Sequence, residues 1–208
     1  PPPPRPPPPP RPRAPPPPGS ARPGGPATPP QDQAFPKKCG HTQGQKLVPL
    51  EEMVRKIKIA LDSRMSDDFL IIARTDARKA AGKDEALRRL EAFQEAGADI
   101  LFYEAPATIE EMAEAGRLFD APLMANMVEG GLTPILTPLE LAELGFQVAI
   151  FPASGFLGAT EALTRIYRAL HDHGASSAAD ADLHAFGDFN KLMGFDEIID
   201  FEDRFESP

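Results

Sequence analysis

The sequence has one cysteine, no tryptophan and no long apolar run in its 208 residues. A single cysteine cannot form an internal disulfide, which is typical of proteins from a reducing compartment. No stretch approaches the roughly 20 consecutive apolar residues that a membrane-spanning helix needs. No segment combines the basic start and apolar middle of a secretory signal. These absences predict a cytoplasmic protein that does not associate with membranes.

Positive charge is scarce outside the first part of the chain. Residues 1–41 carry six Lys and Arg side chains and one acid, Asp32, whereas the rest of the chain carries 16 basic and 30 acidic side chains. The net charge of −9 therefore hides an acidic main part. Nucleic-acid-binding surfaces are basic, so this balance argues against nucleic acid as a partner.

Residues 1–30 form a proline-rich, low-complexity segment that holds 18 of the 26 prolines. Such a composition cannot build a hydrophobic core, so we predict that the segment is disordered. Two interpretations of it stay open. Its proline runs, flanked by Arg5, Arg11 and Arg13, suit the aromatic grooves of proline-binding domains. Alternatively, the segment is a mispredicted start rather than a natural part of the protein.

Beyond the proline-rich segment, helical and strand-like patterns alternate. Apolar residues at helical spacing predict helices from Leu50, over 84–96 and after the apparent capping boxes at Thr108 and Thr137. Short apolar runs predict four buried strands centred near residues 71, 101, 124 and 149. Alternating units of this kind imply an α/β fold with a parallel sheet. A doubly wound sheet and part of a (β/α)₈ barrel both fit the pattern.

Polar residues follow each predicted strand directly. Arg74, Thr75 and Asp76 follow the first strand, Glu104 the second and Asn126 the third, and Ser154 lies just past the fourth. Because the carboxyl ends of parallel strands form the active-site edge, we expect these side chains to converge. An arginine can bind a carboxylate through two hydrogen bonds, and an asparagine can donate to an oxyanion. The set predicts a site for a small acid that carries carboxylates.

The only cysteine lies in the segment 36–46, which we interpret as an active-site loop. Lys37 and Lys38 precede Cys39, and cationic neighbours stabilise a thiolate. The glycines of the segment indicate a mobile loop that can close over a substrate. A thiol there could protonate a carbanion, and its thiolate could take the proton back. The alternative is that Cys39 is an ordinary small buried side chain.

The stretch Asp32-Gln33-Ala34-Phe35-Pro36-Lys37-Lys38-Cys39-Gly40-His41 resembles the active-site loop of the isocitrate lyase and phosphoenolpyruvate mutase superfamily, in its methylisocitrate lyase-like group. Three later blocks agree in order and approximate spacing: Ala73-Arg74-Thr75-Asp76-Ala77, Phe102-Tyr103-Glu104-Ala105 and Ala125-Asn126-Met127-Val128-Glu129-Gly130-Gly131. The resemblance favours the barrel. It implies that residues 31–173 hold strands five to eight, with strands one to four absent. It also implies that residues 174–208 are a linker and C-terminal helices of a type exchanged between subunits, and hence a homo-oligomer.

The resemblance implies a Mg²⁺-dependent carbon–carbon lyase of carboxylic acid metabolism, acting through an enolate on a small 2-hydroxy or 2-oxo di- or tricarboxylic acid. A 2-oxo acid decarboxylase is a neighbouring possibility. The implied catalytic residues are Cys39, His41, Lys37 and Lys38, and the implied substrate contacts are Gly40, Arg74, Glu104, Asn126, Met127 and Val128. The metal-binding aspartates of the family lie on the absent strands, and Gln31 replaces a glutamate that supports the metal. We therefore expect no metal ligand here, and impaired activity.

Two further functions stay open. One is a phosphonomutase acting on a phosphoenolpyruvate or carboxyphosphonoenolpyruvate substrate, although the best-known mutases lack the Cys39-Gly40-His41 sequence. The other is a non-catalytic half-barrel fused to a proline-rich interaction arm. Leu157 stands where methylisocitrate lyases carry an arginine, which favours a smaller dicarboxylate over methylisocitrate. The three remaining histidines, His171, His173 and His184, are scattered, and we interpret them as solvated.

Overall fold

A computed structural model describes residues 27–40, 42 and 44–206 of the chain. Disorder and a proline-binding partner were predicted for residues 1–30. Of these, residues 1–26 lie outside the described residues. His41 also lies outside them. The described residues divide into two compact units, one from 27–125 together with Leu136–Ala149, and one from Asn126–Ile135 together with 150–206.

The elements alternate as the sequence predicts. In chain order they are β1 (Ala27–Thr28), α1 (Leu50–Ser63), β2 (Leu70–Thr75), α2 (Ala77–Ala81), α3 (Lys83–Glu95), β3 (Ile100–Tyr103), α4 (Ile109–Leu118), β4 (Leu123–Asn126), α5 (Pro138–Glu143), β5 (Phe146–Ile150), α6 (Ser154–His173), a 3₁₀ turn (Ser176–Ala178), α7 (Phe186–Leu192) and α8 (Phe195–Glu206). The strands form one sheet in the order β1-β2-β3-β4-β5. The pairs from β1 to β4 are parallel, with Ile72 opposite Ile100 and Leu101 opposite Leu123. The fold is therefore α/β, a partial (β/α)₈ barrel, and the predicted fold class is confirmed.

Strand β1 is an addition that the sequence patterns did not predict. Ala27 and Thr28 pair with Leu70 and Ile71, and beyond them the N–H of Arg74 donates to the carbonyl of Pro30 at 3.0 Å. Proline has no N–H to donate, so a proline-containing stretch is tolerated at a sheet edge when its carbonyls are the partners. The sheet therefore begins before residue 31, where the sequence placed the boundary.

The core of the first unit lies between the sheet and the helices that cover it. Every residue of β3 is buried, and fully buried apolar side chains come from the helices as well, including Ile57, Leu90, Phe93 and Met112. Burying one such side chain contributes about 1.5–3 kcal/mol relative to leaving it in water. Strands β2 and β3 and the helices packed against them thus hold the ends of these two strands in fixed positions.

The second unit is mainly helical, and α6 falls in it together with α7 and α8. Several large apolar side chains on these helices are exposed, among them Phe156, Tyr167, Phe186, Leu192 and Phe205. The structure confirms the C-terminal pair of helices. No helix in the described parts of the chain is both long enough and apolar enough to cross a membrane.

Candidate active site

The segment 36–46 begins and ends at a short antiparallel neck. The N–H of Ala34 donates to the carbonyl of Lys46 at 2.7 Å, and the N–H of Val48 donates to the carbonyl of Asp32 at 2.8 Å. Gln33 and Leu47 form the bridge between these two bonds. The loop therefore leaves the fold and returns to it at one place.

Two glutamine side chains hold the main chain of the loop around the cysteine. The carboxamide of Gln33 accepts from the N–H of Lys38 at 2.9 Å and donates to its carbonyl at 2.8 Å. The carboxamide nitrogen of Gln45 donates to the carbonyls of Cys39 and Gly40 at 2.9 and 2.8 Å. Lys37, Lys38 and Cys39 are exposed, whereas Gly40 is buried.

Arg74 lies at the carboxyl end of β2 between two buried carboxylates. Its Nε and Nη2 donate to the two carboxylate oxygens of Asp76 at 3.0 and 2.7 Å, and its Nη1 lies 3.3 Å from Oε2 of Glu104. The guanidinium carbon also lies 4.9 Å from the centre of the Phe102 ring, a cation–π distance. Burial alone would lower the pKa of Arg74, but the hydrogen bonds with Asp76 and the charge of Glu104 raise it above its ordinary value. Arg74 is therefore a fixed, permanent cation.

Gly40 brings the loop against Glu104. A Cβ built on Gly40 would lie 2.2 Å from Oε1 and 2.5 Å from Cγ of Glu104. No larger residue fits at this position unless the loop or the carboxylate moves. The structure thus brings Gly40, Arg74 and Glu104 together in the first unit. Cys39 precedes Gly40 in the loop and its side chain is exposed.

Asp32 joins the neck of the loop to the end of β2. Its side chain is fully buried and accepts from the hydroxyl of Thr75 at 2.7 Å and from the N–H of Asp76 at 2.9 Å. Nη1 of Arg89 donates to the same carboxylate and to the carbonyl of Val48, both at 3.1 Å. Burial raises the pKa of Asp32 above its ordinary value, although the hydrogen bonds from Asp76 and Thr75 and the charge of Arg89 partly offset it.

No supporting role was predicted from the sequence for Asp32, Gln33, Gln45 or Arg89. A signal for Arg89 was present, because this charged residue lies next to Leu90 on the apolar face of a predicted helix. Gln33, Asp32 and Gln45 lie in or beside the loop motif, but nothing in their spacing shows which groups they contact.

The other predicted substrate contacts lie in the second unit. Asn126 is the last residue of β4 and is buried, and Met127 is fully buried with its N–H donating to the carbonyl of Ile150 at 2.9 Å. The carbonyl of the half-buried Val128 accepts from the N–H of Gly131 at 2.9 Å. Met127 and Val128 therefore use main-chain groups to hold this segment in place.

The described residues do not fit a metal ion. Over residues 27–40, 42 and 44–206 no three side chains of His, Cys, Asp or Glu form a group that could bind one. The carboxylates near Arg74 are already engaged, Asp76 by the guanidinium and Asp32 by Thr75 and Arg89. The prediction that His171, His173 and His184 are solvated is confirmed, because all three are exposed.

The family model for phosphoenolpyruvate phosphomutase matches residues 32–171, most of the chain that the structure describes. The chain belongs to this family, within the isocitrate lyase and PEP mutase superfamily. The match begins at Asp32, in the neck of the loop, and it includes Gly40, Arg74, Asp76 and Glu104. The superfamily predicted from the loop motif is confirmed.

Members of the phosphoenolpyruvate phosphomutase family with similar sequences include both lyases and a mutase. The chain is 44% identical to 2,3-dimethylmalate lyase of Eubacterium barkeri over 84% of its own length and 61% of that protein. It is 40% identical to 2-methylisocitrate lyase of Aeropyrum pernix over 84% of its own length and 55% of that protein. It is 37% identical to the chloroplastic carboxyvinyl-carboxyphosphonate phosphorylmutase of Arabidopsis thaliana over 85% of its own length and 53% of that protein. The chain thus spans between half and two thirds of the length of these relatives.

Solved structures of the same superfamily share the fold. Oxaloacetate acetylhydrolase with 3,3-difluorooxalacetate superposes with a TM-score of 0.78 at 29% identity, covering 88% of this chain and 62% of that one. For 2,3-dimethylmalate lyase the TM-score is 0.77 at 31% identity, covering 87% and 60%. Phosphonopyruvate hydrolase in complex with oxalate and Mg²⁺ gives 0.71 at 27% identity, covering 88% and 63%.

Proposed function

We propose that this chain carries the acid-binding and proton-transfer residues of a carbon–carbon lyase for a small 2-hydroxy or 2-oxo dicarboxylic acid. The observation that carries the proposal is the contact of Gly40 with Glu104, which brings the cysteine loop to the fixed cation Arg74. The names of the relatives support the substrate class, because dimethylmalate, methylisocitrate and oxaloacetate are all small carboxylic acids.

Arg74 is suited to bind a substrate carboxylate. A guanidinium has five N–H donors, and the hydrogen bonds to Asp76 use two of them. Asp76 and Phe102 fix the plane of the group, so little side-chain entropy is lost when the substrate binds. The carboxylate of Glu104, in contact with the loop, can accept a hydrogen bond from the substrate hydroxyl.

Cys39 is the proposed acid. As the carbon–carbon bond of a 2-hydroxy acid breaks, the hydroxyl oxygen gives its proton to the carboxylate of Glu104 and becomes a carbonyl, and the electron pair of the broken bond stays on the carbon next to a substrate carboxylate as an enolate. The S–H of Cys39 then donates its proton to that carbon, and the thiolate takes a proton back in the reverse direction. Lys37, Lys38 and His41 stay predicted members of the loop that favour the thiolate, and Asn126, Met127 and Val128 stay predicted substrate contacts.

Magnesium belongs to the proposal for the whole enzyme because a solved relative is described with oxalate and Mg²⁺. The described residues of this chain supply no ligand group for it. We therefore expect weak turnover from this chain by itself. The homo-oligomer and the cytoplasmic location also stay proposals. The exposed apolar side chains of α6, α7 and α8 support the oligomer, because such surfaces commonly mark interfaces.

The proposal is tested by incubating the protein with 2,3-dimethylmalate, 2-methylisocitrate and oxaloacetate in the presence of Mg²⁺ and measuring the pyruvate released from the first two and the oxalate released from the third. We expect slow cleavage of at least one of them and its loss in Cys39→Ser. The Eubacterium barkeri lyase under the same conditions shows that the assay works. Equal turnover in the parent protein and in Cys39→Ser would show that the reaction does not need the thiol.

A phosphonomutase is the second candidate, favoured by the similarity to the Arabidopsis thaliana phosphorylmutase. Moving a phosphoryl group within its substrate requires no proton from a thiol. Cys39→Ser therefore separates the two candidates, since a mutase should keep most of its turnover with a phosphonate substrate while a lyase loses it.

A further inference from the structure

The conformation of the cysteine loop depends on neutral side chains that the family resemblance did not single out. Gln33 makes two hydrogen bonds to the main chain of Lys38, and Gln45 makes two to the carbonyls of Cys39 and Gly40. Four hydrogen bonds from two carboxamides therefore fix the main chain of three consecutive residues, Lys38, Cys39 and Gly40. Carboxamides do not titrate, so the fixation is independent of pH.

Gln33 is the stronger of the two anchors. It is buried and lies in the neck. On either side of it, the main chain of Asp32 is hydrogen-bonded to Val48 and that of Ala34 to Lys46. Its backbone position is therefore fixed by the fold rather than by the loop. Because its side chain both donates to and accepts from Lys38, it acts on the loop as a neighbouring strand would.

We propose that Gln33 is a positioning residue that holds Gly40 against Glu104 and so fixes the main chain of the adjacent Cys39, with Gln45 as its counterpart on the returning arm of the loop. The hydrogen bonds are independent of any activity, and the consequence for turnover rests on the proposed lyase function. Without Gln33, the peptide groups of Lys38 lose their partner and exchange protein hydrogen bonds for water. The loop then spends less time with Gly40 against Glu104.

Because position 33 needs both a donor and an acceptor, a titratable residue there should make the exchange of the loop amides depend on pH. Gln33→Glu keeps the volume, but an ionised carboxylate cannot donate to the carbonyl of Lys38 and repels it. A protonated carboxyl has one O–H donor and one carbonyl acceptor, as the carboxamide has. At high pH the loop amides of Gln33→Glu should therefore exchange as fast as those of a variant without the carboxamide. As the pH falls, their exchange should slow toward that of the parent protein.

The experiment compares the full chain with Gln33→Met, Gln33→Glu and Gln45→Met. Gln94→Met is the matched control, because Oε1 of Gln94 also accepts two main-chain hydrogen bonds, from Asp120 and Ala121 at 2.9 Å, away from the loop. Amide hydrogen exchange of peptides covering 36–46 is followed by mass spectrometry across the pH range in which all variants stay folded. The kcat and KM of the lyase reaction are measured on the same samples.

We expect exchange of the loop amides to rise about tenfold in Gln33→Met, since each lost hydrogen bond contributes a modest net free energy. Gln94→Met should leave loop exchange unchanged even if it lowers the melting temperature equally. In Gln33→Glu the exchange ratio to the parent should fall toward one at low pH. The kcat should fall with loop exchange, while KM changes less.

Loop exchange in Gln33→Met that matches the parent and Gln94→Met would overturn the proposal. So would faster exchange with an unchanged kcat, because the loop would then not need Gln33 for turnover. If no sample cleaves any substrate, the proposed lyase function fails, and the exchange data alone decide whether Gln33 positions the loop.

Discussion

Gly40 lies so close to Glu104 that the position of a Cβ on the glycine is already occupied by the carboxylate, 2.2 Å from Oε1. The glycine is needed here for space rather than for an unusual backbone angle. The contact connects the cysteine loop to the end of β3 through one peptide group. It is therefore the point at which the loop meets the residues proposed to bind the acid.

Gly40→Ala should reduce turnover strongly without unfolding the protein. The added methyl must displace either the loop or Glu104, and a shift of about 1 Å in a reacting group can cost on the order of 100-fold in rate. The kcat/KM of the lyase reaction and the melting temperature check this. Gly187→Ala is the control, because nothing lies within 4 Å of a Cβ at Gly187. Full activity in Gly40→Ala would show that the contact is not part of the working site.

Arg74→Lys should lower kcat/KM by about 100-fold, although the charge is kept. Lysine cannot reproduce the two-point hydrogen bonding with Asp76 or the planar stacking on Phe102, so the cation loses its orientation. The control is Arg78→Lys, which breaks the equivalent pair with Glu111. That variant should lose stability only. Equal losses of activity in both variants would contradict a special role for Arg74.

Gly116→Ala should destabilise the first unit by at least about 1–3 kcal/mol, the usual range for overpacking. A Cβ on Gly116 would lie 1.8 Å from the carbonyl oxygen of Leu144, which is main chain and cannot rotate away. Chemical denaturation measures the change. Gly158→Ala, at a helical position with nothing within 4 Å, should be neutral or slightly stabilising. A Gly116→Ala variant as stable as the parent would mean that α4 does not approach the end of α5 as closely as described.

The stability contributed by Asp32 should decrease as the pH rises. Burial raises the pKa of Asp32 in the folded state above its ordinary value of 3.8, so the folded state binds the proton more tightly than the unfolded state. The free energy of unfolding therefore falls as the pH rises from 3.8 through the raised pKa, and it is constant above that value. The measured quantity is the free energy of unfolding of the parent minus that of Asp32→Asn. This difference should be largest at the lowest pH. A difference that grows with pH would show that the charge of Arg89 outweighs burial.

Local patterns in the sequence determined the element order and the class of site. Apolar runs predict buried strands because both faces of a parallel sheet are covered, and this is why β2, β3, β4 and β5 appear where they were predicted. The capping box at Thr137 also forms, and the carboxylate of Glu140 accepts a hydrogen bond from the N–H of Thr137 at 2.8 Å. Arg74 and Glu104 could be named because polar residues at strand ends face the active-site edge.

Contacts between distant residues were decided by the tertiary structure. Thr108 caps α4 as predicted, but the carboxylate of Glu111 accepts hydrogen bonds from Arg78 and from the N–H of Ala107 rather than from the N–H of Thr108. The prolines that follow β1 are accommodated beside β2 because the N–H of Arg74 donates to the carbonyl of Pro30.

In the cysteine loop too, the sequence predicted the residues but not their contacts. The sequence identified Cys39 and Gly40, because residue types and spacing are local information. It could not show that Gln33 binds Lys38 or that Gly40 contacts Glu104. Hydrogen bonds and close contacts depend on where side chains point after the chain has folded. That direction is set by packing in three dimensions, which no periodicity along the chain records.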